Sequence, residues 1–398
     1  MTKHLLRLVW NRKRSNFLIT VEIVLSFLVL FLVMSLAVSY GRNYVQPLGF
    51  QYDHVWRIDV NMGGEGDDVW TPEMKATSDQ VLLALRAYDQ IEAVAGVQVA
   101  PFSIGGIHGM THTNGHDIEH DANEVTDDFA NVMRLDLVRG RWFQRDDDTA
   151  SFEPVVINQR MARELFGDEE PIGKEMSPRQ EDRLARRVVG VVSEYREDSV
   201  FQAPDNYLFY RKQMGTAKDR PPQSFIIRLK PGTPAAFENE LQEKLGAVAR
   251  GWTFDIQSLE AARQRAERMI IQPLVIAGLV AAFLILMVGL GLTGVLWQNV
   301  TQRRGEIGLR RANGATARGV CLQILGELTL VTTTGLAIGS AIVIQLFVIG
   351  ASSWIDKQVF AGSLAASIAL IYLLTILCGL YPSLLATRIH PAEALHYE

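Results

Sequence analysis

Four apolar windows, residues 17–38, 270–297, 320–350 and 364–386, constrain this chain before any other feature does. About 20 mostly apolar residues cross the roughly 30 Å of hydrocarbon in a bilayer, and each window is at least that long. Four such runs predict four membrane spans. The first is longer than the roughly 7–15 apolar residues of a cleavable signal peptide. No small-x-small site follows it before Tyr40-Gly41-Arg42, so it reads as an anchor that stays.

Basic residues orient the spans, because they collect on the cytoplasmic side. Lys3, Arg7, Arg12, Lys13 and Arg14 precede the first span, with no acid until Glu22. Arg303, Arg304, Arg310, Arg311 and Arg318 crowd the loop between the second and third spans, whereas the last connection sets Lys357 against Asp356. Both termini are therefore expected inside. The map is an amphipathic cytoplasmic helix over 1–16, spans over 17–39, 269–298 (with a stalk), 320–350 and 364–388, and a large outer domain over 40–268. A cytoplasmic segment over 299–319, a short outer loop over 351–363 and a tail over 389–398 complete it. The expected class is a membrane protein with four transmembrane α-helices and an α+β extracytoplasmic domain between the first and second spans. A net charge of −5, unevenly spread, gives no case for nucleic acid. The only cysteines, Cys321 and Cys378, fall in apolar runs, so the outer domain holds no disulfide.

Within 40–268, helical periodicity falls at 79–95, 162–166, 234–248 and 259–269. Strand-like patterns fall at 54–60, 97–104, 154–157, 187–192, 207–210 and 224–229. Asn158 is placed to cap a helix that Gly167 ends. The run from Gly167 to Gly173-Lys174 is one residue too long for a phosphate loop and is followed by Glu175, so it is not one.

Four of the eight histidines, His108, His112, His116 and His120, recur at intervals of four. Gly105, Gly106, Gly109 and Gly115 argue against a helix, and Asn114-Gly115 is a hairpin turn. That turn sets His112 opposite Asp117, Met110 opposite Glu119 and His108 opposite Asp121. His108, Met110 and His112 are weak candidates for a borderline metal. A solvated hairpin with charge-complementary pairs is the favoured reading, because the histidines split between faces.

The third span carries Gln323, Glu327, Gly335 and Gly339, which suit close helix packing or a dimer contact. Glu327 can serve as a functional acid or as hydrogen-bonding glue.

These residues resemble a known family, the MacB/FtsX-type ABC transporter permeases. Arg304-Gly-Glu-Ile-Gly-Leu-Arg-Arg-Ala-Asn-Gly-Ala315 is similar to its cytoplasmic R-x-E-I-G-I-R-R-A-x-G-A motif, and Gln323-x-x-x-Glu327 with Gly335 and Gly339 to the start of its third span. Tyr381-Pro382 through Arg388, then Pro391-Ala-Glu-Ala-Leu395, resembles its closing pattern, with Ser383 and Asn313 as departures. The run from Gly140-Arg-Trp-Phe143 to Val188-Val-Gly-Val-Val192 resembles its periplasmic core.

The resemblance implies a non-catalytic subunit of a bacterial inner membrane, without cofactor in this chain. ATP and Mg would be held by a separate ABC ATPase. Arg303, Arg304, Glu306, Ile307, Gly308, Arg310, Arg311, Gly314 and Ala315 would couple to it. A second copy or a paralogue completes the permease, and a membrane-fusion adaptor and an outer-membrane channel are further candidate partners. The expected activity is mechanotransmission: ATP hydrolysis inside moves the outer domain and so exports or extracts a hydrophobic or amphipathic substrate. The alternatives are an FtsX-like regulator of a cell-wall hydrolase, which transports nothing, and a membrane sensor whose hairpin binds metal or protons.

Overall fold

The computed structural model describes residues 13–63, 71–103, 105–113, 116–176, 185–213, 220–302, 305, 309, 316–350 and 356–386. The chain divides into two compact units, Arg42–Ile270 on one hand and Met1–Gly41 with Ile271–Glu398 on the other.

The second of these is helical. Its helices are α1 (Lys13–Tyr44), α6 (Leu259–Gln302), α7 (Ala317–Val348) and α8 (Lys357–Ala386), two of which run on into the other unit. Among the described residues, four stretches are long and apolar enough to cross a membrane: Phe17–Tyr44, Leu259–Gln298, Arg318–Val348 and Lys357–Leu380. α6 continues through Pro273, although proline removes one ladder hydrogen bond. Ile23, Phe27 and Leu30 of α1 are buried among Val288 and Leu292 of α6, Val331 and Leu336 of α7, and Ile371 of α8. A Cβ on Gly335 would stand 2.8 Å from Ile23, and one on Gly339 would stand 2.5 Å from Phe27. The two glycines let α7 press on α1, the close approach that small residues permit in a membrane. Gln323 Nε2 donates to Glu327 Oε1 along α7 at 3.4 Å. α7 and α8 are joined by Thr333 Oγ1 and Tyr372 OH at 2.8 Å.

The unit Arg42–Ile270 is an α+β fold. Its strands are β1 (Val55–Asn61), β2 (Ile91–Val97), β3 (Ile107–Thr113), β4 (His116–Val125), β5 (Leu137–Gly140), β6 (Glu153–Asn158), β7 (Glu175–Met176), β8 (Arg186–Val192), β9 (Tyr207–Arg211), β10 (Ser224–Leu229) and β11 (Thr253–Ser258). They form one sheet in the order β11-β1-β10-β2-β4-β9-β6-β8-β5, with β3 on β4 and β7 on β8. Among the described strand pairs, only β4/β9 and β6/β8 run parallel. The helices are α2 (Pro72–Arg86), α3 (Phe129–Met133), α4 (Gln159–Phe166) and α5 (Phe237–Val248).

Side-chain alternation along the strands sorts the core. On β10, Phe225, Ile227 and Leu229 face α2 and α5, where Val81, Leu85, Leu241 and Leu245 meet them. On β6 and β8, Val155, Ile157, Val188 and Val191 face α4 through Met161 and Leu165. The opposite face is continuous across the sheet, from Val55 and Ile226 through Val97 and Val125 to Phe209, Val156 and Val192. The two helix-covered halves meet at β2/β4, where Val97↔Val125 is the one registered pair.

Local signals hold where they are strong. Asn158 Oδ1 accepts from Met161 N at 3.0 Å at the start of α4, and Gly167 ends the helix at φ +61°. The expected helix over 79–95 is instead α2 followed by β2. Thr71 Oγ1 caps Met74 N, Pro72 occupies the first turn, and the helix stops at Arg86. Apolar Ile91, Val94 and Ala95 fit a helical period, but pairing with β10 makes them strand. The strand expected over 97–104 is likewise displaced, because Val97 closes β2 and a turn follows.

Candidate functional site

Segment 42–54 leaves α1 and enters β1, and it lies on the continuous face of the sheet. Leu48 and Phe50 are buried there beside Tyr195, Phe102 and Val55. From residue 45 to residue 54 the segment has no regular structure, so its backbone polar groups need other partners. Two buried arginines supply many of them. Arg196, 1% exposed, donates through Nη1 to the carbonyls of Asn43 (2.9 Å) and Gln202 (3.1 Å), and through Nη2 to that of Gln46 (2.9 Å). Arg228, 2% exposed, donates from Nε to Val132 O (2.6 Å), from Nη1 to Asp53 O (3.0 Å) and from Nη2 to Gln51 O (3.0 Å). Burial pulls both guanidinium pKa values down, yet arginine keeps its charge in proteins. A hydrogen bond from a charged donor contributes about 1.5–3 kcal/mol net, and an orphaned buried acceptor costs about 1–3 kcal/mol. Each arginine therefore holds more than its own weight in backbone.

Backbone contacts complete the clamp. Arg196 N donates to Leu48 O at 3.0 Å, and Asn43 Nδ2 donates to Phe201 O at 2.9 Å. Gly49, at φ +86°, lies so close to the loop after β8 that a Cβ would fall 1.6 Å from the carbonyl oxygen of Glu194. The first turns of α6 reach the same face: Leu259 and Ala262 are buried there, and the Arg263 guanidinium lies 5.0 Å from the Tyr52 ring centroid. Both chain connections between the units therefore meet on one sheet face.

Glu197 follows Arg196 in the same loop. It is buried and accepts from Asn123 Nδ2 on β4 at 2.7 Å and from Tyr207 OH on β9 at 2.5 Å, while its carbonyl accepts from Phe102 N at 2.8 Å. Burial above all, with Asp198 and Asp121 adding like charge, pushes its pKa up to about 8 against the pull of the Tyr207 and Asn123 hydrogen bonds. The folded chain thus keeps a proton that the unfolded chain has released. This contribution to stability is complete below the ordinary carboxylate pKa and is lost as pH rises to about 8. The slope is at most about 1.4 kcal/mol per pH unit. Glu197→Gln should therefore flatten the fall in thermal stability between pH 5 and 8 relative to the unaltered chain. Parallel profiles would remove Glu197 from this role.

The histidine hairpin has the register its turn predicts: His108↔Asp121, Met110↔Glu119 and His112↔Asp117. Residues 114–115 and the His112 and His116 side chains lie outside the described residues. His108 Nδ1 and Asp121 Oδ1 stand 2.6 Å apart at the surface, while His120 is buried against Thr111 Oγ1 at 2.9 Å. Among the described residues no group of three or more His, Cys, Asp or Glu side chains is arranged to hold a metal ion. Of the segment expected to couple to an ATPase, Arg303, Arg304, Glu306, Ile307, Gly308, Arg310, Arg311, Gly314 and Ala315 lie outside the described residues. α7 begins directly after it, capped by Thr316 Oγ1, which accepts from Gly319 N at 3.1 Å. The clamp residues carry one sequence signal, Arg228 standing inside the apolar strand Ser-Phe-Ile-Ile-Arg-Leu.

The profile of the MacB-like periplasmic core domain matches residues 17–244, more than half of the chain, and that of the FtsX-like permease C-terminal domain matches 278–391. A protein of Bdellovibrio bacteriovorus named macrolide export ATP-binding/permease protein MacB is 28% identical over 273 residues, covering 65% of this chain and 41% of that protein. A Bacillus subtilis protein named uncharacterized ABC transporter permease YknZ is 26% identical over 321 residues, covering 78% of this chain and 79% of its own. The chain thus spans about two-fifths of the length of the MacB protein it matches. The crystal structure of the periplasmic region of MacB from Actinobacillus actinomycetemcomitans aligns with a TM-score of 0.40 at 18% identity, covering 56% of this chain and 97% of that one.

Proposed function

The chain belongs to the MacB/FtsX-type ABC transporter permeases, and from that premise we propose that it works by mechanotransmission. A separate ABC ATPase grips the cytoplasmic segment 303–315. Its cycle shifts the spans, and the shift drives the α+β unit, which exports or extracts a hydrophobic or amphipathic substrate from the periplasm or the outer leaflet. The chain sits in the bacterial inner membrane with both termini inside. It supplies no ATPase chemistry; ATP and Mg act in the partner.

The observation that carries this reading is the convergence of segment 42–54 and the start of α6 on one face of the sheet, where Arg196, Arg228 and Arg263 bind them. Force entering through either connection meets a bonded framework and not a slack tether. A second copy fits the family and the helical unit: the apolar side chains Leu279, Phe283, Leu286 and Leu290 of α6 are exposed and need lipid or another helix.

The test is purification of the tagged chain from native membranes under mild detergent, followed by reconstitution with whatever ATPase accompanies it. The expected result is a stoichiometric ABC ATPase whose turnover rises with amphipathic substrates. Absence of any ATPase would sink the proposal. An ATPase stimulated only by an extracytoplasmic hydrolase would replace transport with regulation.

A further inference from the structure

Resting on the mechanotransmission reading, we infer that segment 43–54 is a rigid strut tied to both halves of the sheet, with Arg196 and Arg228 as its positioning residues.

A connector that must bend leaves its carbonyls to water, which exchanges partners freely. Here the carbonyls of Asn43, Gln46, Leu48, Gln51, Asp53 and His54 all accept from protein donors. A guanidinium is a planar fork, so three bound carbonyls fix its plane and one another's positions; an ammonium on a flexible stem cannot do this. Gly49 removes the remaining slack, since its backbone is pressed on that of Glu194.

The two arginines belong to different halves of the unit. Arg228 is on β10, in the half covered by α2 and α5. Arg196 is in the loop that Glu197 fastens to β4 and β9, in the half covered by α4. Between these halves lies the β2/β4 seam, where the registered pair Val97↔Val125 is flanked by Gln98 N on Glu124 O and Thr126 N on Gly96 O, both at 3.0 Å, and by Asn123 Nδ2 on Val99 O at 2.7 Å. The strut runs from one arginine to the other, Asn43 and Gln46 on Arg196 and Gln51 and Asp53 on Arg228, and so bridges the halves. A displacement of Tyr44 is delivered to both together.

The test uses the full chain with its co-purified ATPase in lipid nanodiscs, with hydrogen exchange as one arm. The Gln46 and Gln51 amides, bonded to Asn43 O and Met133 O, should exchange within tenfold of the β1 and β10 amides. Arg196→Gln should speed Gln46 at least tenfold and leave β10 unchanged, and Arg196→Lys should restore only part of the protection. Exchange of both amides at free-loop rates in the unaltered chain would overturn the strut. The second arm places a fluorophore at Glu243→Cys, with Cys321 and Cys378 changed to serine, and reads its response to ATP with vanadate, normalised to turnover. Arg196→Gln should cut that response at least threefold. A full response in this variant would overturn the positioning role. No response in the unaltered chain would overturn mechanotransmission, and the arginines' coupling role with it, while the exchange arm still decides rigidity.

Discussion

Gly49→Ala should leave the α+β unit unable to fold stably. Gly49 has φ +86°, and a Cβ there would fall 1.6 Å from Glu194 O and 2.4 Å from Glu194 C. The left-handed backbone alone costs a non-glycine residue about 1–2 kcal/mol. Overpacking adds about 1–3 kcal/mol where neighbours can adjust. Here the neighbour is backbone, and moving it drags the Arg196 amide off Leu48 O and the guanidinium off Asn43 and Gln46. The total is a large part of the roughly 5–15 kcal/mol that holds a domain folded. Gly105→Ala is the matched control: its φ is +87°, but nothing lies within 4 Å of its added Cβ. Thermal denaturation and protease resistance in detergent should separate the two variants by more than 10 °C or by outright loss of folded Gly49→Ala protein. Equal stability would show that the linker yields, against both the clamp and the strut.

The second large effect is expected at the other end of the pathway. Arg310→Glu with Arg311→Glu should lower ATPase co-purification at least tenfold while membrane insertion stays normal. On the proposed docking, both substitutions turn cations of the gripped segment into anions, and like charges brought together at a buried interface cost several kcal/mol. Arg318→Glu is the control for a loop that serves topology alone, since it changes the charge of the same connection beyond the motif. ATPase retained at the unaltered level, or lost equally with Arg318→Glu, would reduce 303–315 to a topogenic loop.

Legibility differed sharply between parts of the chain. The hairpin register could be read because a two-residue turn leaves the strands only one way to pair, and His108↔Asp121 follows from Asn114-Gly115 alone. α4 could be read because its start and stop, Asn158 and Gly167, are adjacent to it in sequence. The boundary between α2 and β2 could not, because Ile91 and Val94 satisfy a helical period as well as a strand and are decided by β10, more than 130 residues away. β11 escaped notice although Phe254 and Ile256 alternate inward, the run being short and flanked by helices.

By itself the sequence determined the four spans, their family, and the elements whose caps and turns are local. Hydrophobic length and nearest-neighbour backbone chemistry act within a few residues, so they are written in order along the chain. The clamp was decided only by the tertiary structure. Arg196 lies 153 residues from Asn43 and Arg228 lies 177 from Gln51, and an arginine carries no mark of which distant carbonyls it will serve. Gly49 reads as one more loop glycine until Glu194 is laid against it. Glu197 holds its proton only because burial, Asp198 and Asp121 together oppose its charge, and that burial is a property of the assembled sheet and not of any stretch of residues.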